Sequence, residues 1–265
     1  MIKRKVADTG LEISALGLGT VKLGRDKGVK YPQGFTIPDD NAATNLISLA
    51  KDLGINLIDT APAYGISEQR LGPLLQGQRH DWVICSKVGE EFNNKTGDSS
   101  YNFTPEHVRY SVERSLKRLE TDYIDMLLVH SDGNDEAIIK KYGILELLTD
   151  LKAEGKIRAS GMSTKTVSGG LLALQQSDCA MVTYNLSHTE EEAVIDYAAE
   201  HNKCILLKKA LASGHICQQD QSDPVQQSFN FIFSHPGVTS AIIGTINPSH
   251  LQGNISAANR ALKNC

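Results

Sequence analysis

Long hydrophobic runs are missing from the sequence. No stretch of about 18 consecutive apolar residues occurs, so no segment is predicted to span a bilayer. Residues 1–8 carry positive charge, but no apolar stretch follows them, and a secretory signal is therefore not expected. These two absences predict a cytoplasmic protein with no membrane partner.

Cysteine is scarce, and its spacing shows no pairing. The sequence has five cysteines, an odd number, and no two of them form a CxxC pair. This pattern favours reduced thiols over a disulfide framework, and it gives no metal-ligand spacing. We therefore expect no metal site.

A large excess of charge is missing as well. The sequence has 27 basic and 31 acidic residues, a net charge of −4, without a block of like charges. A nucleic-acid surface is not expected from such a balance. The expected partner is a small-molecule substrate, and the expected assembly is a monomer or a weak homo-oligomer.

The sequence does contain a regular alternation of short apolar runs and amphipathic segments. From Ala15 onward, eight predicted strands are each followed by a predicted helix. Mostly apolar strands are typical of a parallel sheet that helices cover. Eight such units in about 250 residues favour an α/β fold of the (β/α)8 TIM barrel type over a doubly wound open sheet. No Pro/Ser linker divides residues 1–265, so we predict a single domain.

The predicted boundaries follow the apolar runs. The eight strands are predicted at 15–19, 55–58, 82–87, 124–130, 157–161, 180–184, 204–208 and 239–244. Residues 3–6 and 12–14 are predicted to form a hairpin that turns at Gly10. We also expect a loop over 88–103, a helix over 142–153, and Ser163 or Thr164 as the cap of the helix that follows the 157–161 strand.

Four titratable residues fall at the predicted carboxyl ends of strands, where barrels carry their chemistry. They are Asp59, Tyr64, Lys87 and His130. Each alone has an ordinary structural explanation, such as helix capping for Asp59 or packing for Tyr64. Together they indicate proton transfer, with Lys87 expected to lower the pKa of Tyr64 and Asp59 expected to hold Lys87.

These four residues, in this order and spacing, resemble the Asp-Tyr-Lys-His tetrad of the aldo-keto reductases. The segment from Asp59 to Tyr64-Gly65, followed by Ser67-Glu68, resembles the family's D-T-A-x-x-Y-G-x-S-E signature. The resemblance covers essentially the whole chain. It implies a barrel with the hairpin capping its bottom and an NAD(P)H-dependent carbonyl reductase or alcohol dehydrogenase. In this scheme Tyr64 protonates an aldehyde or ketone oxygen, and His130 orients it.

The resemblance also implies a nicotinamide cofactor site on the rim. Ser163 would bind the carboxamide, and the phosphates would lie along 208–213 and at the N-terminus of the last helix. The implied cofactor residues are Gly19, Thr20, Asp59, Ser163, Thr164, Met181, Asn185, Lys208, Lys209, Leu211, Ser213, Gly244, Thr245, His250 and Asn254.

Four of these positions depart from the family pattern. Thr164 stands where many members have Asn, Met181 where a Gln is usual, and His250 where members that prefer NADP often have Arg. Lys208 begins a stretch where the family has an aromatic residue, so the usual stacking ring is expected to be absent and Lys208 to contact the cofactor instead. NADPH is expected from the family pattern, with NADH left open.

Two other activities remain open at this point. The lysines Lys87, Lys208 and Lys209 would suit a Schiff-base lyase on the same barrel. The resemblance also allows a non-catalytic, NADPH-binding regulatory subunit.

The substrate-binding loops are predicted from the resemblance. The sequence continues only about ten residues beyond Asn254, so we expect a short member without the long C-terminal substrate loop. Specificity would then come from the loops 21–38 and 88–103. The candidate wall residues in these loops are Tyr31, Phe35, Phe92 and Tyr101.

Overall fold

The computed structural model describes residues 1–29, 31, 34–212, 214 and 223–263. The strands are β1 (Lys3–Lys5), β2 (Glu12–Ser14), β3 (Leu16–Gly19), β4 (Leu57–Asp59), β5 (Val83–Val88), β6 (Glu90–Phe92), β7 (Ser99–Tyr101), β8 (Ile124–His130), β9 (Ile157–Ser163), β10 (Cys179–Thr183), β11 (Cys204–Lys208) and β12 (Ser240–Ile243). The helices are α1 (Val21–Gly24), α2 (Asp40–Asp52), α3 (Ser67–Leu74), α4 (Pro105–Arg118), α5 (Asp135–Tyr142), α6 (Ile144–Ala153), α7 (Val167–Gln176), α8 (Glu192–Glu200), α9 (Pro224–Ser234) and α10 (Pro248–Lys263).

Eight parallel strands close into a barrel. The order around the barrel is β3, β4, β5, β8, β9, β10, β11 and β12, and β12 pairs with β3 to complete the circle. This confirms the predicted TIM barrel and rules out the open sheet. The parallel register brings the carboxyl ends of the strands to one rim, for example Gly19 beside Asp59 and His130 beside Ser163.

The N-terminal hairpin packs against the interior of the barrel, as predicted. Strands β1 and β2 pair antiparallel, and Gly10 takes a φ of 77° at the turn. Val6, Leu11 and Ile13 of the hairpin form one buried cluster with interior side chains of the barrel strands. The cluster's barrel members are Leu57, Val83, Cys85, Met126, Leu128, Ala159, Cys179, Met181, Cys204 and Leu206. The hairpin therefore closes the end of the barrel opposite the carboxyl ends of the strands.

The outer layer of helices follows from amphipathic patterning. Helix α4 buries Val108, Val112 and Leu116, which recur every four residues on one face. Thr104 caps this helix by accepting a hydrogen bond from the His107 N–H, and a proline occupies the first helical position. No helix in the described ranges combines the length and the apolar character that crossing a membrane requires.

Two local predictions were wrong, and one helix was not predicted. The predicted loop 88–103 contains the antiparallel pair β6–β7. The predicted helix 142–153 corresponds to α6, which begins at Ile144. The helix before it, α5, was not predicted, and Gly143 separates the two with a left-handed φ of 58°. The cap of α7 is Thr166, whose hydroxyl accepts from the Gly169 N–H, since Ser163 still belongs to β9.

Candidate active site

The turn that carries Tyr64 is held in place by two glycines. A short 3-10 turn, Pro62–Tyr64, follows β4. Gly65 has a φ of 66°, and a Cβ there would lie 2.1 Å from the Gly24 carbonyl oxygen. A Cβ on Gly24 would in turn lie 2.4 Å from the Tyr64 carbonyl oxygen. Helix α1 therefore lies directly against the turn, and this contact leaves no room for side chains at either glycine.

A buried ion pair joins the ends of β4 and β5. Lys87 Nζ lies 2.5 Å from Asp59 Oδ1 and donates to the Thr60 carbonyl at 2.9 Å. The Tyr64 hydroxyl donates to Asp59 Oδ2 at 3.1 Å, and Lys87 Nζ lies 4.6 Å from the centroid of the Tyr64 ring. Asp59 thus binds Lys87 and Tyr64 with its carboxylate, so it is not a helix cap.

The electrostatics of Tyr64 differ from the prediction. Burial first, and the charge of Asp59 second, raise the pKa of Tyr64, and Lys87 opposes this only in part. The prediction that Lys87 lowers the pKa of Tyr64 overall is therefore wrong. Burial would lower the pKa of Lys87, but Asp59 outweighs it and the net pKa is raised. At neutral pH the site thus holds a protonated phenol beside a charged lysine.

His130, at the end of β8, lies beside Tyr64 and next to Glu90, an acid that was not predicted from the sequence. Its ring stands edge-on to the Tyr64 ring at 6.4 Å between centroids. His130 Nδ1 lies 2.8 Å from Glu90 Oε2 but makes no well-aligned hydrogen bond. Burial lowers the pKa of His130 despite Glu90, whereas His130 brings the pKa of Glu90 to about 2 against the effect of burial. Glu90 belongs to the unpredicted hairpin β6–β7, and no motif in the sequence points to it.

A cavity of about 700 Å³ opens over the rim and contains all four residues of the tetrad. This volume lies within the range of about 300–1,000 Å³ that is usual for small-molecule sites. Most of the predicted cofactor residues line it. These are Gly19, Asp59, Ser163, Met181, Lys208, Lys209, Leu211, Gly244, Thr245, His250 and Asn254.

Three predicted cofactor residues have other contacts. Thr20 is buried, and its hydroxyl donates to the Asp59 carbonyl at 2.8 Å. The Thr164 hydroxyl donates to Glu191 Oε1 at 3.4 Å, and the Asn185 amide donates to the Lys209 carbonyl at 3.0 Å. They support the cavity wall instead of lining it. Ser213, the remaining predicted residue, lies outside the described residues.

Of the four candidate wall aromatics, Tyr31 alone lines the cavity in the described part of the chain. Phe35 packs edge-on against Tyr31 at 5.7 Å between ring centroids. Phe92 lies beneath the guanidinium of Arg25, 3.7 Å from the ring centroid. Tyr101 stacks on Phe103 at the surface.

One face of α10 forms a wall of the cavity, and only His250 and Asn254 of this face were predicted. Helix α10 begins beside Asn247, whose side chain accepts from the backbone N–H groups of Ser249 and His250. Cavity residues then recur every three or four positions, a helical period that the sequence itself contains. They are Ser249, His250, Gly253, Asn254, Ser256, Ala257 and Arg260.

The charges of the cavity wall suit an anionic ligand. Among the described lining residues, five are lysine or arginine and two are carboxylates. They are Lys22, Lys87, Lys208, Lys209, Arg260, Asp59 and Asp223. Gly253 faces the cavity with no atom within 4 Å of a would-be Cβ, so the α10 wall is open. A dinucleotide with its phosphates is compatible with this donor set.

The sequence model of the Aldo/keto reductase family matches residues 15–230. The chain belongs to this family. Family membership indicates an oxidoreductase that acts on small-molecule carbonyl compounds with a nicotinamide cofactor.

Solved structures and sequences agree with this membership. The chain is similar to a Pseudomonas aeruginosa protein assigned to the aldo-keto reductases, with 60% identity, 98% of this chain and 95% of that chain covered, and a TM-score of 0.89. It is 34% identical to the aldo-keto reductase YhdN of Bacillus subtilis, over 79% of this chain and 62% of YhdN. It is 35% identical to an NADH-specific methylglyoxal reductase of Escherichia coli, over 61% of this chain and 51% of that protein.

Proposed function

We propose that this aldo-keto reductase reduces aldehydes or ketones to alcohols, with Tyr64 as the proton donor. The observation that carries the proposal is the buried Tyr64–Asp59–Lys87 group in the cavity. Its phenol is 3.1 Å from one carboxylate oxygen, and its lysine is 2.5 Å from the other. The phenol is protonated at neutral pH, as a general acid must be before it can donate, although the raised pKa by itself makes it a weaker donor.

The chain's residues take distinct parts in this scheme. The nicotinamide cofactor, when bound, supplies the hydride. Tyr64 gives its proton to the substrate oxygen, and the charge of Lys87, 4.6 Å from the ring centroid, stabilises the phenolate that remains. Asp59 holds Lys87 in place. His130 orients the substrate oxygen from β8.

The cofactor residues are proposed on the same basis. The Ser163 hydroxyl, at the end of β9, would bind the carboxamide. Lys209 and Thr245 would meet phosphates near α10, and His250 would lie beside a 2′-phosphate. We propose NADPH as the preferred cofactor, and the similarity to an NADH-specific reductase makes NADH a necessary arm of the test.

Turnover on a panel of aldehydes and ketones tests the function directly. The assay follows the loss of reduced-nicotinamide absorbance with NADPH and with NADH in parallel. We expect oxidation of the cofactor that depends on both enzyme and carbonyl. Tight cofactor binding without turnover of any member of the panel would contradict the proposal and favour a regulatory subunit.

The lowered pKa of Lys208 is the reason to test for a Schiff-base lyase. Burial lowers the pKa of Lys208 to about 8, whereas Lys87 is held as a charged partner of Asp59. A carbonyl substrate and borohydride, without nicotinamide, would trap an imine as a covalent adduct on a lysine. We expect no adduct, and an adduct at Lys208 would replace the reductase proposal.

A further inference from the structure

Lys208 is a partly buried cation of the cavity, and the proposed role of the tetrad does not involve it. Its ammonium donates to Ser163 Oγ at 3.1 Å and to the Thr164 carbonyl. The nearby Glu191 carboxylate instead accepts from the Thr183 N–H at 2.8 Å and from the Thr164 hydroxyl. Within the described part of the chain, Lys208 therefore has neutral oxygens as its hydrogen-bond partners, and no carboxylate is in direct contact with it.

The position of Lys208 brings this charge close to the reaction centre. Its partner Ser163 lies beside His130 in the register of β8 and β9. The charge of Lys208 acts on His130 and contributes to lowering the pKa of that residue. The field of Lys208 thus covers the part of the cavity between the tetrad and the ends of β9 and β11. The proposed contact of Ser163 with the carboxamide would place the nicotinamide ring there.

A nicotinamide ring is neutral when reduced and carries a positive charge when oxidised. A fixed cation near the ring repels the oxidised form and leaves the reduced form almost unaffected. We propose that Lys208 makes this site select the reduced cofactor over the oxidised one. The inference rests on the proposed function, since it requires that the cavity binds a nicotinamide dinucleotide. Such a site takes up the reduced form and releases the oxidised form after each turnover.

The selectivity should depend on pH in a defined direction. The repulsion between the Lys208 ammonium and the oxidised ring, several ångströms apart in a partly buried site, should raise the Kd of the oxidised form relative to that of the reduced form roughly 10- to 100-fold. The ammonium predominates below the Lys208 pKa of about 8, so selectivity is full near pH 7 and falls as the pH rises through that value. The other charged or titratable groups that act on Lys208, or on which it acts, are Glu191, Lys209, Asp135, Lys165 and His130.

Calorimetric titration with NADPH, NADP⁺, NADH and NAD⁺ tests the proposal without any turnover. The measured quantity is the Kd of the oxidised form divided by the Kd of the reduced form, near pH 7 and near pH 9.5. For the wild-type protein we expect a ratio that is large near pH 7 and falls several-fold near pH 9.5. Lys208→Met should lower the ratio roughly tenfold or more near pH 7 and make it independent of pH.

Two further variants test whether the selectivity depends on a charge at position 208 or on any positive charge in the cavity. Lys208→Arg should keep the ratio at both pH values, because a guanidinium does not lose its proton in this range. Near pH 7, Lys209→Met should weaken both redox forms equally and leave the ratio unchanged, since a phosphate contact is common to both forms.

The outcomes distinguish this inference from the proposed function. A ratio in Lys208→Met within twofold of the wild-type value, or a wild-type ratio equal at both pH values, overturns the role of Lys208 and leaves the reductase standing. Binding of none of the four dinucleotides overturns both. If Lys208→Met does not fold, the wild-type pH comparison and Lys208→Arg still decide the question.

Discussion

The two halves of the candidate active-site rim are built in different ways. On the β4–β5 side, Asp59, Tyr64 and Lys87 are bonded to one another, and the two ionised groups are 3% and 1% exposed. On the α10 side, His250 projects from the first turn of the helix and Thr245 from the loop before it, where the Thr245 hydroxyl bonds to the backbone of Asn247. The first half is preorganised for chemistry, whereas the second leaves its polar groups available to a ligand.

This difference follows from what each half has to do. A proton donor must be held in one geometry, and a buried ion pair achieves this at the cost of desolvation. A phosphate-binding surface gains from cations and backbone N–H groups that solvent still reaches. Lys208 lies between the two cases, since it is only partly buried and has no carboxylate in direct contact.

Tyr64→Phe is expected to have the largest effect. Loss of the general acid should lower kcat for carbonyl reduction about a thousandfold, while cofactor affinity stays within about twofold of wild type. Steady-state kinetics and calorimetric titration measure the two quantities. Tyr110→Phe, on the exposed face of α4, is the matched control and should keep full activity. Wild-type kcat in Tyr64→Phe would remove Tyr64 from the mechanism.

Lys87→Met should be costly for stability because it strands a buried carboxylate. We expect a loss of about 3–5 kcal/mol in the free energy of unfolding, measured by urea titration. Lys51→Met removes a lysine from the exposed pair Lys51–Asp81 and should cost less than about 1 kcal/mol. If the two variants lose equal stability, burial does not distinguish the two pairs. Adding Asp59→Asn to Lys87→Met should recover part of the loss.

Gly24→Ala tests how closely α1 and the Tyr64 turn must approach. The added Cβ would lie 2.2 Å from the Ser67 backbone nitrogen, so the turn has to shift. We expect a loss of about 1–3 kcal/mol in the free energy of unfolding together with a lower kcat. Gly34→Ala, where no atom lies within 4 Å of the new Cβ, should change neither. Full activity in Gly24→Ala would mean that the turn tolerates displacement.

His250→Arg should have the smallest effect, since it alters the open half of the rim. A guanidinium at the start of α10 should strengthen NADPH binding about tenfold. NADH affinity in the same variant serves as the control and should change less than twofold. An equal gain for both cofactors would place the 2′-phosphate away from residue 250.

Sequence patterning located the βα units and the residues at their strand ends, and the resemblance to the aldo-keto reductases implied that the units close into a barrel. Apolar runs and helical periods depend on neighbours in the chain, so eight βα units and their strand ends could be located. Asp59, Tyr64, Lys87 and His130 were found because each follows an apolar run or a turn. Glu90 was missed because its hairpin is stabilised by pairing across a turn that has no strong local signal.

The sequence by itself determined the order of elements and the residue types that reach the rim. The tertiary structure decided their electrostatic state. Burial and Asp59, and not Lys87, dominate the pKa of Tyr64, and burial without a carboxylate in direct contact lowers the pKa of Lys208 to about 8. Neither effect follows from residue identity, because desolvation and Coulomb interactions depend on which groups the closed barrel brings together.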